Sequence, residues 1–250
     1  MSGHSKWSTI KHKKAAADAK RGKLFTRVAK ELTIAAKEGG GDSATNPRLR
    51  LAIDKARAAN MPKDNIERAI QRGTGEIEGL EYSEIMYEAY APNGIGILIE
   101  VVTDNKNRSL ADIRSALNKN GGSLASAGSV SWQFTRKGYV EVQGDVDQDE
   151  LFLLAADAGA DDVDFSGEVT GVYSDPNNMS EVRNLLEENG FDLSEAKLIY
   201  EPNNTTSLGV QDSLQVLRVI ERVEELDDVE NVYSTLELTD EAMAAMESEE

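Results

Sequence analysis

The chain has 250 residues, with 27 Lys+Arg against 45 Asp+Glu and a net charge of −18. An apolar fraction of 40% suffices for a sizeable core, and the length suggests more than one domain. No run approaches the roughly 18 apolar residues of a membrane span, and the absence of cysteine excludes disulfides, thiolate metal sites and cysteine nucleophiles.

Taken as an average, this acidity argues against nucleic acid as a partner, but the charge is divided. Residues 1–72 hold 17 Lys+Arg and 7 Asp+Glu, a net of +10, which leaves −28 for residues 73–250. Within residues 138–204, 17 acids face only Arg183 and Lys197. A change of sign on this scale points to separate domains with different partners.

The opening residues, Gly3-His4-Ser5-Lys6-Trp7, lack the apolar core of a signal peptide, and the cytoplasm is the expected address. Residues 1–14 read as a basic arm too polar to fold alone. Its Lys6, Lys11, Lys13 and Lys14 can displace counterions from a phosphate backbone, with His12 among them. Trp7 fits a base-stacking role and a packing anchor equally well.

From Ala15 to Lys37, Leu24, Val28, Leu32 and Ala35 form the apolar stripe of an amphipathic helix. Lys20, Lys23, Arg27, Lys30 and Lys37 form a second stripe about 120° away, and Arg21 adds to the charge. Gly39-Gly40-Gly41 ends this helix. Asn46-Pro47 opens a second, with Leu49, Ala52, Ile53 and Ala56 inward. Pro62 opens a third, with Ile66, Ala69 and Ile70 inward and Gly73 closing it. Three short helices sharing an apolar seam predict a bundle within residues 1–76.

Beyond it the pattern becomes mixed. A strand-like run with Met86, Tyr87 and Tyr90 ends in the turn Ala91-Pro92-Asn93-Gly94. A buried strand follows at Ile95–Val102, then a helix from Ser109 to Lys119 and a half-buried strand at Val130–Thr135. On that strand Trp132 and Phe134 share a face and read as core. Residues 138–204 then spell βαββαβ, the order of a ferredoxin-like unit. The strands are Tyr139–Val142, Val163–Phe165, Glu168–Tyr173 and Ala196–Tyr200; the helices are Asp149–Ala158 and Ser180–Glu188. A further helix, Ser213–Glu225, and strand, Val229–Leu238, complete the earlier unit, so 138–204 reads as a domain inserted into residues 77–137 and 205–240. Asp104, Asn107 and Ser109 recur as Asp175, Asn178 and Ser180, and Leu117-Asn120-Gly121 as Leu186-Asn189-Gly190, an echo that fits two related units. Residues 241–250 read as an acidic tail, a helix followed by a frayed end. The expected fold is therefore α+β: a three-helix bundle with two ferredoxin-like α/β domains, one inserted in the other.

The residues offer little to catalysis. His4 and His12, the two histidines, lack metal-ligand spacing. Carboxylate pairs such as Asp161-Asp162 have no evident cleft. Gly73-Thr74-Gly75 lacks the lysine of a phosphate loop, and there is no Gly-x-Ser-x-Gly elbow. A binding protein with no cofactor, no metal, no membrane contact and no small-molecule substrate is expected.

Several motifs closely resemble the YebC family: Gly3-His4-Ser5-Lys6-Trp7, Lys11-His12-Lys13, Lys20-Arg21-Gly22-Lys23, Asn60-Met61-Pro62-Lys63, Ile70-Gln71-Arg72-Gly73, Tyr87-Glu88-Ala89-Tyr90-Ala91-Pro92 and Thr103-Asp104-Asn105-Lys106-Asn107-Arg108. The resemblance spans essentially the whole chain and implies three domains, one helical and two α/β. It also implies a function: the family is described as transcriptional regulators that bind DNA. Other members act in translation, among them a mitochondrial activator of cytochrome oxidase synthesis and bacterial factors that relieve ribosome stalling on proline-rich stretches. Two readings follow, a DNA-binding regulator and a ribosome-associated factor that contacts ribosomal RNA. Both place nucleic acid on Lys6, Trp7, Lys11, His12, Lys13, Lys14, Lys20, Arg21, Lys23, Arg27 and Lys30.

Overall fold

A computed structural model describes residues 19–167 and 169–248. It opens with three helices, α1 (Ala19–Gly39), α2 (Pro47–Ala58) and α3 (Lys63–Thr74). Asn46 joins the first two. Its carboxamide oxygen accepts from Leu49 N–H at 3.0 Å and starts α2, while its amide donates to Ala35 and Gly40 carbonyls at 2.7 and 2.9 Å. One buried side chain thus satisfies orphan groups at the end of one helix and the start of the next. Val28, Leu32, Leu49, Ala52, Ala56 and Ala69 are essentially inaccessible and form the bundle core.

Gly73 does not close α3. The left-handed cap is Gly75, at φ 80°, and Gly73 lies inside the helix where α3 crosses α1. A Cβ there would stand 2.3 Å from the Thr33 carbonyl oxygen and 2.7 Å from Ala36 Cβ, so the absent side chain sets the helix separation. Gly73→Ala is expected to lower stability by about 1–3 kcal/mol, because the obstructing atom is backbone and cannot rotate away. An unchanged urea midpoint would show that the helices separate freely.

The first α/β domain contains β1 (Ser83–Tyr90), β2 (Gly96–Thr103), α4 (Lys106–Lys119), β3 (Ser123–Leu124), and, after a long excursion, α7 (Val210–Glu224), β8 (Val229–Ser234) and α8 (Asp240–Ser248). Its antiparallel sheet runs β3-β1-β2-β8. β2 is buried along almost its full length, and Ile97, Ile99, Val101, Ile113, Leu117, Val216 and Val219 pack between sheet and helices. The excursion contains β4 (Phe134–Val142), α5 (Gln148–Asp157), β5 (Ala160–Asp164), β6 (Thr170–Ser174), α6 (Met179–Glu188) and β7 (Leu193–Pro202). Its sheet order, β5-β6-β4-β7 with every pair antiparallel, is that of a ferredoxin-like unit. The two sheets meet through Leu98, Phe134, Tyr139, Ile199 and Tyr233, with the Tyr200 and Tyr233 rings edge to face at 5.5 Å.

The internal echo has a structural counterpart. α4 and α6 each end on Asn then glycine, with Gly121 and Gly190 at φ 84° and 85°. Asn120 and Asn189 each return their amide to the carbonyl four residues back, at 2.7 and 2.8 Å.

A further sequence expectation needs correction. Residues 131–133 form a 3-10 turn, and the strand begins at Phe134 and runs unbroken through Val142. Phe134 is buried as expected, but Trp132 is 71% exposed. Glu88 is the cause: its carboxylate accepts the backbone N–H groups of Gly128, Val130 and Ser131, which curls the chain, sends Val130 inward and turns Trp132 out. At the other end the helix expected in the acidic tail is present as α8, with Ala242 and Met246 buried and Met246 part of the core of the first α/β domain. Among the described residues no helix is long and apolar enough to cross a membrane.

Candidate nucleic-acid interface

Lys6, Trp7, Lys11, His12, Lys13 and Lys14 lie outside the described residues. Lys20, Arg21 and Lys23 fall on α1, whose opening-turn side chains also lie outside them. The two remaining candidates, Arg27 and Lys30, do not face solvent as a phosphate-binding stripe requires. Lys30 is 5% exposed, and its ammonium donates to Asp228 Oδ1 at 2.8 Å, Val102 O at 3.0 Å and Asp227 O at 3.2 Å. Arg27 donates to the Glu224 carbonyl at 2.7 Å. This half of the cationic stripe docks α1 onto the first α/β domain. Its spacing matched a solvated face, but the acids that bury it lie some two hundred residues further along the chain.

Asp228 is the centre of that contact. Besides Lys30, it accepts from Arg108 at 2.9 Å, Ser109 Oγ at 2.7 Å and Thr103 Oγ1 at 3.0 Å. Burial by itself would raise the carboxyl, but the hydrogen bonds from Lys30, Arg108 and Ser109 outweigh it and hold Asp228 well below the usual carboxylate range. The same Arg108 nitrogen, Nη2, also donates to Asp104 Oδ1 at 2.7 Å. A cleft of about 550 Å³ adjoins the cluster, lined by Tyr82, Asp104, Arg108, Asp112 and Asp227 among others. Its two cations, Lys30 and Arg108, are already engaged by carboxylates, so it offers an anion no free charge.

Further pairs hold the bundle to the α/β half. Arg48 reaches Glu84, and Arg183 reaches Asp54 at 3.0 Å. Lys55 pairs with Glu31 at 2.9 Å within the bundle, beside Glu230 of β8.

Among the described residues of the bundle, the other exposed basic charge is Lys37 at the end of α1 and residues of α2 and α3. Arg50 and Arg57 are exposed on α2. On α3 the exposed Asn65, Arg68, Gln71 and Arg72 span an arc of about 120°, opposite the buried Ile66 and Ala69. Arg68 and Arg72 form no ion pair with any described residue, and Asp64 lies within the same arc. Only four residues, 59–62, join the two helices, with Asn60 at φ 57° and Met61 tucked into the core. None of these α3 residues is among the nucleic-acid candidates of the sequence, although Gln71 and Arg72 stand in one of the motifs that carry the family resemblance. The signal was present in the spacing of Asn65, Arg68 and Arg72, three then four apart on the face away from Ile66 and Ala69.

A basic helical bundle docked on two abutting antiparallel sheets, one domain threaded into the other, defines a three-part α+β protein. Residues 5–76 match the model of the TACO1/YebC N-terminal domain, and residues 82–236 that of the TACO1/YebC second and third domain. The chain belongs to the TACO1/YebC family. It is 50% identical over 97% of its length to a probable transcriptional regulatory protein of Thermotoga petrophila, covering 96% of that protein. A protein of the same description from Acidithiobacillus ferrooxidans is also 50% identical, with 99% of each chain covered. The crystal structure of a conserved hypothetical protein from Aquifex aeolicus superposes with a TM-score of 0.84 at 40% identity, covering 89% of this chain and 93% of that one.

Proposed function

We propose that this protein is a regulator that binds nucleic acid through its N-terminal domain, with duplex DNA as the principal target. The observation that supports this best is α3, which presents Asn65, Arg68, Gln71 and Arg72 on one exposed face directly after a short connection from α2. These side-chain types can donate to phosphates and read base edges. The arm, with Lys6, Trp7, Lys11, His12, Lys13 and Lys14, and the start of α1, with Lys20, Arg21 and Lys23, would extend the contact along the backbone. The description of the relatives as probable transcriptional regulatory proteins agrees with this reading, and with a binding protein rather than an enzyme.

A double Arg68→Ala, Arg72→Ala variant is expected to bind a labelled duplex about tenfold more weakly. Its log-affinity against log-salt slope should fall by about 2, one for each lost phosphate contact. Unchanged affinity and slope would remove α3 from the interface. The second reading, a translation factor on ribosomal RNA, draws support from the exposed indole of Trp132, since folded RNA offers unpaired bases. Crosslinking in cells with sequencing of both RNA and DNA separates the two: promoter peaks support the first, and crosslinks concentrated on ribosomal RNA reject it.

A further inference from the structure

The α/β half carries a large negative charge, yet one end of it has almost no acid. No Asp or Glu occurs in residues 89–99, 113–140 or 202–211, and the middle segment holds Arg114, Lys119, Arg136 and Lys137. Backbone pairing draws these segments together. Asn203 N–H donates to Gln133 O at 2.7 Å, Thr235 N–H donates to Gly96 O at 3.0 Å, and Gly96 abuts the side chains of Val130 and Gln133. Glu201, Asp212 and Glu237 flank this surface in sequence. Its loops are rich in Gly, Asn, Ser and Thr, and the exposed Trp132 follows one of them.

Trp132 is held as a platform. The three amides on Glu88 fix the turn before it, and together they overcome the burial that would otherwise raise the Glu88 carboxyl. Asn203 Nδ2 donates to the Trp132 carbonyl at 3.1 Å, and Asn203 Oδ1 accepts from Thr135 Oγ1 at 2.6 Å. The indole N–H is engaged by the Ser129 carbonyl at 3.0 Å, so what remains to a partner is the ring itself. A pre-positioned π face, without its own free donor, in a surface that does not repel phosphate and has Arg136, exposed and in no ion pair with a described residue, four positions on, has the chemistry of a base-stacking contact.

We propose that the Trp132 loop is a second nucleic-acid contact, at which an unpaired base stacks on the indole while Arg136 meets the adjoining phosphate. It rests on the nucleic-acid reading above but uses a surface separate from the bundle.

The test measures binding of the full chain to a labelled mixed-sequence single strand of about twelve nucleotides, as RNA and as DNA, and to the matching duplex. Trp132→Ala is expected to weaken both single strands about tenfold, Trp132→Phe to restore most of the affinity, and the duplex to bind all three proteins alike. In a Trp7→Phe background, the remaining indole should be quenched by the single strand. Single-strand affinity of Trp132→Ala equal to wild type would overturn the proposal. So would an equal loss on the duplex, or loss of a protein crosslink with oligonucleotide binding intact. A duplex bound by wild type and weakened by the Arg68, Arg72 variant would then leave the broader reading standing; a wild type that binds none of the three probes would overturn both.

Discussion

Replacing Asp228 with Ala is expected to destabilise the protein by about 3–5 kcal/mol, because it strands the buried ammonium of Lys30 and the buried hydroxyls of Thr103 and Ser109 at once. Lys30 would keep only the Val102 and Asp227 carbonyls, and Arg108 only Asp104. Asp228→Asn should be nearly as harmful, since an amide preserves the shape but not the charge that holds Lys30. A Lys30→Met, Asp228→Asn double variant should cost less than the sum of the two singles, because no unpaired charge then remains at the α1 contact. Urea unfolding supplies the energies, and hydrogen exchange along α1 shows whether the bundle has come loose. A loss below 1 kcal/mol for Asp228→Ala would mean that the bundle is held by its other contacts. The same carboxylate gives a pH dependence of known sign. Its folded value lies below the unfolded one, so its contribution is complete above about pH 4 and fades as pH falls further towards the folded value.

Glu230 should behave in the opposite sense. Its side chain on β8 lies near Lys55, Arg27 and Lys30 of the bundle, and Oε1 is enclosed with no hydrogen-bond partner among the described residues. Burial pushes its carboxyl up to about 7 against the counter-pull of Lys55, Arg27 and Lys30, with Glu31 reinforcing the rise. Lys55 is engaged by Glu31, which itself holds the ammonium above its ordinary range. An unfolded glutamate titrates near 4.3, so protonated Glu230 favours the folded state below that pH, and the advantage disappears as pH rises through about 7. The gap corresponds to on the order of 3 kcal/mol. Glu230→Gln keeps the volume and cannot ionise. It is expected to raise stability at pH 8 by about 2–3 kcal/mol and to flatten the decline between pH 5 and pH 8. A variant that is less stable at pH 8 would show that Glu230 is ionised there and paired with Lys55.

The elements were legible where one local signal decided them. The Asn46-Pro47 cap, the glycine stop after Lys37, the continuous apolar run of β2 and the βαββαβ order of the insert all act within a few residues, and the structure repeats them. What the sequence hid was set by partners distant in the chain. Gly73 looks like a helix terminator because glycine usually is one; only the Thr33 carbonyl of α1 reveals it as a crossing point. Trp132 alternates with Phe134 as a buried strand residue would, until Glu88, more than forty positions earlier, folds the chain into a turn. Lys30 lies on a cationic stripe that periodicity cannot distinguish from a solvated one, and its counter-charge comes from Asp228. Charge asymmetry set the basic bundle apart from its acidic surroundings, but helical spacing alone could not show that Arg27 and Lys30 turn onto the first α/β domain or that Arg68 and Arg72 stay exposed, because both depend on contacts distant in the chain.

The threading of one domain through another also fixes an order of events during synthesis. β4 and β7 lie side by side, so the insert can close on itself as soon as residue 202 is free. Its host cannot: β2 waits for β8, and the row of Ile97, Ile99 and Val101 has an open edge until residues 229–234 arrive. Asp228 arrives with them, so the anchor for Lys30 does not exist until the chain is almost complete. Until then the basic domain, made first, has contacts such as those to Glu84 and Arg183 to hold it, beside an unpaired apolar strand, the interval in which this protein is most exposed to misassembly.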